Sequence, residues 1–151
     1  MPTPNKSAVE VLEAFFHASN RHDTNEMAQF FEERADVLFE ETPMSVQEYI
    51  EECGRIFKAF PDLTFHWKSI ESHGPDGAIM PGLYVLGTHK GPYAFGPYPE
   101  IAATNKVCRN DPEDFTIWLG PTGKIRKAKI IPKGEMTGPA GLYTQIGGLV
   151  F

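Results

Sequence analysis

Two cysteines among 151 residues are too few for a disulfide scaffold. Cys53 falls on a predicted helix and Cys108 on a predicted strand, and the pattern reads as two buried thiols in a reducing compartment. Long apolar runs are missing as well. The residues after Met1-Pro2-Thr3-Pro4-Asn5-Lys6 are periodic instead of continuous, which argues against a signal peptide or a membrane span and for a cytoplasmic protein. Positive charge is scarce: 14 Lys and Arg against 20 Asp and Glu leave a net charge of -6, the wrong balance for a surface that neutralises nucleic-acid phosphates. The sequence contains no Cys-x-x-Cys, no His-Glu-x-x-His, no Gly-x-Ser-x-Gly and no phosphate-binding glycine loop. Zinc proteases, hydrolase elbows and nucleotide enzymes therefore have no positive support, and no histidine falls in a metal pattern.

Core-forming residues are plentiful. The chain is 41% hydrophobic with 11 Phe, enough for one domain over residues 1–151 that buries roughly 70% of the surface of its unfolded form. Val9, Leu12, Phe16 and Ser19 recur at three- and four-residue steps, predicting an amphipathic helix from Ser7 to about His22. Asp23-Thr24-Asn25-Glu26 and Ser45-Val46-Gln47-Glu48 each place a capping residue three before an acid. They predict a second helix carrying Met27, Phe30 and Phe31 inward, and a third carrying Tyr49, Ile50, Cys53 and Phe57. Strands are expected at Ala35 to Phe39, Leu63 to Ser72, Ala78 to His89, Ile101 to Cys108, Asp114 to Leu119 and Lys124 to Ile131. The strand ending at His89 is apolar on both faces and is expected to be central. Helices followed by a strongly bent antiparallel sheet give an α+β domain whose concave face forms a cone-shaped pocket.

Four phrases stand in order along this framework: Asn20-Arg21-His22-Asp23, Phe60-Pro61-Asp62-Leu63, Gly87-Thr88-His89-x-Gly91 and Gly123-Lys124-Ile125. Together with the closing stretch Gly141 to Gly147, they resemble the SnoaL-like polyketide cyclases of the NTF2-like superfamily over most of the chain. The resemblance implies an NTF2-like cone with a curved antiparallel sheet packed against three N-terminal helices. It also implies acid-base chemistry on a small carbonyl compound with no metal or organic cofactor, of the cyclase, isomerase or dehydratase kind. A homodimer through the outer sheet face is expected, with a small apolar or cyclic ligand as the partner.

His89 matches the histidine of the Gly-Thr-His phrase. In phase with Val85 and Gly87, it is the candidate base or oxyanion donor. The resemblance also implies a carboxylate in or just after the last long strand. Here Lys127-Ala128-Lys129-Ile130-Ile131-Pro132 supplies none, leaving Glu135 in the following loop, or Asp111 in the turn Asn110 to Asp114, as replacement acids. Lys127 and Lys129 share the alternation of Ile125 and Ile131, and a lysine-bearing strand of this kind suits a sheet edge. His66, Trp67, Tyr84, Tyr93 and Trp118 are the candidate pocket walls, with Phe95 and Tyr98 in the same loop as Tyr93. The competing reading is a non-catalytic ligand-binding or assembly module on the same fold. A third is an accessory protein whose apolar tail at Leu149 to Phe151 docks a partner.

Overall fold

The computed structural model describes residues 4–39, 42–67, 83–95, 97–110, 114–131 and 138–148. Helix α1 runs Pro4–Asn20 and buries Leu12, Phe15, Phe16 and Ala18, the face set by its periodicity. Ser19 lies on that face because its hydroxyl donates back to the Phe15 carbonyl at 2.8 Å. Helix α2 (Thr24–Gln29) starts at Asp23, whose side chain accepts from the Glu26 N–H. Helix α3 (Val46–Ala59) starts at a reciprocal capping box between Ser45 and Glu48.

The strands are β1 (Phe31–Phe39), β2 (Thr42–Met44), β3 (Thr64–Trp67), β4 (Leu83–Thr88), β5 (Val107–Asn110), β6 (Asp114–Leu119) and β7 (Ile125–Ile131). Helix α4 (Gly138–Gln145) follows them. Strand order is β2-β1-β7-β6 in one group and β3-β4-β5 in the other, so β4 is central as expected. All pairs are antiparallel except β1 with β7. The parallel pair departs from the expected antiparallel sheet. Phe31 leaves α2 to open β1, and its ring sets edge-on against Phe15 at 5.6 Å and Tyr49 at 5.8 Å, so α1 and α3 share a core with that strand.

Two other expectations fail for local reasons. β7 lies between β1 and β6, so it is not an edge. Nor do its lysines share the face of Ile125: Trp118 faces Lys127 while Leu119 faces Ile125, and the extra residue, Arg126, reverses the alternation. Ile125, Ala128 and Ile130 are buried as a result, and Lys127 turns the other way to lie over the Trp118 ring at 5.0 Å. The predicted strand Ile101 to Cys108 is broken too. Ile101 makes an isolated bridge to Tyr93, Asn105 adopts φ +60°, and only Val107 onward pairs with β4. Asparagine tolerates that left-handed geometry, and the turn folds residues 102–106 over the end of β4.

Candidate functional site

The Phe-Pro-Asp and Gly-Thr-His phrases meet in space. Asp62, in the turn after α3, accepts the Thr88 N–H at 2.6 Å on one carboxylate oxygen and the Thr88 hydroxyl at 2.7 Å on the other. The Ala59 carbonyl at the end of α3 accepts the N–H groups of Lys90 and Gly91 at 2.9 and 3.0 Å. Both glycines of the second phrase lie at close approaches, against a side chain at Gly87 and against fixed backbone at Gly91. A Cβ on Gly87 would stand 2.9 Å from Leu63 Cδ1, and one on Gly91 would stand 2.5 Å from the Lys58 carbonyl oxygen.

His89 sits at the centre of this junction with 0% of its surface exposed. Its ring is tilted against Phe60 at 5.4 Å. Its backbone is held on both sides, donating to the Lys106 carbonyl at 2.9 Å and accepting from Asn105 N–H at 2.8 Å. Nδ1 accepts the Thr104 N–H at 3.2 Å and lies 2.9 Å from the Thr104 hydroxyl. An N–H can only donate, so Nδ1 carries no proton and the neutral ring carries its proton on Nε2. Burial holds the imidazole below its ordinary range, while the Gly91 backbone acts in the opposite direction without giving Nε2 a hydrogen bond of normal geometry. Among the described residues, Nε2 has no hydrogen-bond partner. The site thus holds a neutral imidazole whose buried Nε2–H makes no hydrogen bond of normal geometry among the described residues.

A second feature wraps the edge of β3. Asn20 at the end of α1 donates to the Phe65 carbonyl at 3.2 Å and accepts the Phe65 N–H at 2.6 Å, standing in for a further strand. Beside it, His22 at φ +56° stacks on Phe57 at 4.1 Å and donates from Nε2 to the Leu63 carbonyl at 2.8 Å. The phrase at the end of α1 is therefore a backbone clamp. The adjoining cleft, about 460 Å³, is lined by Asn20, Thr64, Phe65, His66, Trp67 and Tyr84. Phe65 and Trp67 turn toward Phe16 of α1, whereas His66 and Tyr84 stack on each other at 4.8 Å on the opposite face. Arg109 covers the Tyr84 ring at 4.2 Å.

The structure therefore joins three of the expected wall residues, His66, Trp67 and Tyr84, in one cleft, and keeps His89 on the helix-facing side of β4. Tyr93 is buried against Phe60 and Tyr143, in an aromatic group with Phe95 and Tyr98 that α4 covers. Trp118 lies under Lys127 on β6, apart from both features. Glu135 and Asp111 lie outside the described residues. Cys53 and Cys108 are both buried, and burial raises the Cys108 thiol above its ordinary range. Among the described residues no group of three or more His, Cys, Asp or Glu could hold a metal ion, and no helix is long and apolar enough to cross a membrane.

Thr104 and Gln145 escaped the sequence reading. Thr104 stands in a stretch that alternates like a strand, and only the turn at Asn105 brings it over His89. Gln145 of α4 donates to the Arg109 carbonyl and accepts the Arg109 N–H, both at 3.0 Å, closing the β5 edge as Asn20 closes the β3 edge. Neither has a local sequence signal, because each partner is distant along the chain.

No family model matches the sequence, and no curated protein matches it. Solved structures do match the fold. A SnoaL-like polyketide cyclase from Agrobacterium tumefaciens superposes with a TM-score of 0.66 at 16% identity, covering 97% of this chain and 100% of that one. SalBIII, an epoxide hydrolase/cyclase-like enzyme of pyran ring formation in the polyether salinomycin, gives 0.64 at 16% identity over 85% of this chain and 92% of that one. An NTF2-like protein of unknown function from Exiguobacterium gives 0.65 at 13% identity over 82% and 98%. At these identities the likeness is one of fold.

Proposed function

We propose that this chain, whose fold is that of the SnoaL-like and NTF2-like proteins, is a cofactor-free acid-base enzyme of the cyclase, isomerase or dehydratase kind acting on an apolar carbonyl compound. The observation that carries the reading is the buried, unpartnered Nε2 of His89. An unsatisfied buried donor costs about 1–3 kcal/mol, and a substrate oxygen arriving at Nε2 would remove that penalty.

In this reaction a base removes the proton beside a carbonyl, and the C–H electron pair becomes the enolate. The enolate oxygen accepts the Nε2–H hydrogen bond, which strengthens as charge develops there. The enolate carbon then attacks a second carbonyl, closing a ring as that carbonyl oxygen takes the proton back from the carboxylic acid. In an isomerisation the carbon takes that proton at a new position, and in a dehydration the enolate expels a β-hydroxyl that leaves with it as water. His89 acts as donor and not as base, because Thr104 occupies Nδ1 and Nε2 already bears the proton. The α-proton passes to a carboxylate, for which Glu135 and Asp111 are the candidates. The folds of SalBIII and of the Agrobacterium cyclase support the reaction class by analogy.

A second reading is favoured by the cleft of His66, Trp67 and Tyr84, which is aromatic and has no carboxylate among its described lining residues. That composition suits a binding module.

The test is a thermal-shift screen against cyclic ketones, aromatic polyketide-like compounds, steroids and small epoxides, followed by turnover assays of any compound that stabilises. His89→Ala is expected to lower turnover by about 10²–10³-fold, the usual effect of losing one oxyanion donor. Turnover unchanged in that variant would remove His89 from the reaction.

A further inference from the structure

We infer that Thr104 is the positioning residue of the His89 site: by directing its N–H and hydroxyl at Nδ1, it keeps the imidazole in the tautomer that presents a proton on Nε2. The inference rests on the donor reading of His89 but is a statement about the free protein.

The geometry is over-determined. The Thr104 N–H, 3.2 Å from Nδ1, cannot reverse its role. The hydroxyl, 2.9 Å from the same atom, could in isolation either donate or accept. Because Nδ1 already accepts the Thr104 N–H and so bears no proton, the hydroxyl donates its own hydrogen to Nδ1 while accepting the Lys106 N–H at 3.3 Å. The His89 backbone is fixed as well, since it pairs with Lys106 and the Asn105 turn closes onto its carbonyl. Protonating Nδ1 would set N–H against N–H inside a site that excludes water. The His89 cation is thus opposed by geometry as well as by burial.

Titratable groups on the elements packed around His89 are Lys58 at the end of α3, Asp62 on the following turn, Lys90, Tyr93 and Lys106 on the flanking loops, and Cys108 on β5. None exerts a charge on the imidazole comparable with its burial. Thr104 is thus the neighbour that decides which nitrogen holds the proton.

The experiment uses full-length protein labelled with ¹⁵N-histidine and long-range ¹H–¹⁵N spectra of the His89 ring, recorded from about pH 5 to 8. Wild type is expected to show an unprotonated Nδ1 and a protonated Nε2 in the neutral ring, and to keep that state to lower pH than a free imidazole. Thr104→Ser keeps both donors and should reproduce that spectrum. Thr104→Val keeps the backbone N–H but loses the hydroxyl, and its His89 should admit protonation at higher pH than wild type. A neutral wild-type ring protonated on Nδ1 would overturn the inference. So would a Thr104→Val titration that superposes on wild type in a protein with an otherwise native spectrum. If the tautomer is as stated while turnover of every substrate found ignores His89, the donor reading of His89 fails and the Thr104 assignment stands.

Discussion

Asp62 grips Thr88 with both carboxylate oxygens, taking the backbone N–H at 2.6 Å and the hydroxyl at 2.7 Å. This contact joins the turn after α3 to the end of β4 and fixes the backbone one residue before His89. Burial alone would raise the Asp62 carboxyl, but the two Thr88 bonds, the residue's own N–H and Lys90 outweigh it and hold it below its usual range. A depressed carboxyl contributes stability that is full above the unfolded value of about 3.9 and is lost as pH falls through the folded value. Because Asp62 is exposed, Asp62→Ala is expected to cost only about 1–2 kcal/mol at pH 7. Urea denaturation of both proteins checks this, with the difference shrinking below about pH 4.

His89 titrates in a separate window. Its folded value is lowered by burial, so between the folded value and about 6.5 the unfolded chain binds more protons, and stability falls as pH drops below about 6.5. His89→Gln should lose that slope whatever its effect on absolute stability. Unfolding free energies of both proteins at intervals from about pH 7 to 5 measure it; parallel curves would deny the imidazole its depressed proton affinity.

Glycines on α3 and in the loop it meets should respond in opposite directions. Gly54 lies within the helix with nothing within 4 Å of an added Cβ, so Gly54→Ala is expected to stabilise by about 0.5–1 kcal/mol. Gly91→Ala puts a methyl 2.5 Å from the Lys58 carbonyl oxygen, a backbone atom fixed by the helix, and should destabilise by about 1–3 kcal/mol. Thermal melts of the two variants beside wild type decide the signs.

Removing a sheet clamp exposes a strand edge. Asn20→Ala takes away two bonds to Phe65 and should cost about 1–2 kcal/mol. Hydrogen exchange of the Phe65 amide should accelerate well beyond that of amides in β6 and β7, which this side chain does not touch. Uniform acceleration would mean that Asn20 stabilises the whole chain instead of this edge.

The three amino-terminal helices and most strands were legible because their signals are local: periodicity in α1, the caps at Asp23 and Ser45, and the turn chemistry around Pro61 and Gly120 to Gly123. The misreadings have a common cause. The bulge at Arg126 and the turn at Asn105 each depend on what lies across the chain, and a period-two pattern is blind to a single inserted residue. His89 was found from its phrase. The choice between base and oxyanion donor stayed open there, because the tautomer depends on Thr104, fifteen residues away and with no motif of its own. The resemblance phrases proved to be places where the backbone must close tightly, as at Gly87 and Gly91, which is why they were visible as sequence.

The most direct measurement is the dissociation constant of the panel compound giving the largest thermal shift, compared among wild type, His89→Ala and Tyr84→Ala. A ligand seated on the His89 donor should bind about tenfold or more weakly to His89→Ala, a difference of about 1.4 kcal/mol, and nearly unchanged to Tyr84→Ala. Loss of binding in Tyr84→Ala with His89→Ala unaffected would place the ligand in the β3-edge cleft and contradict the account.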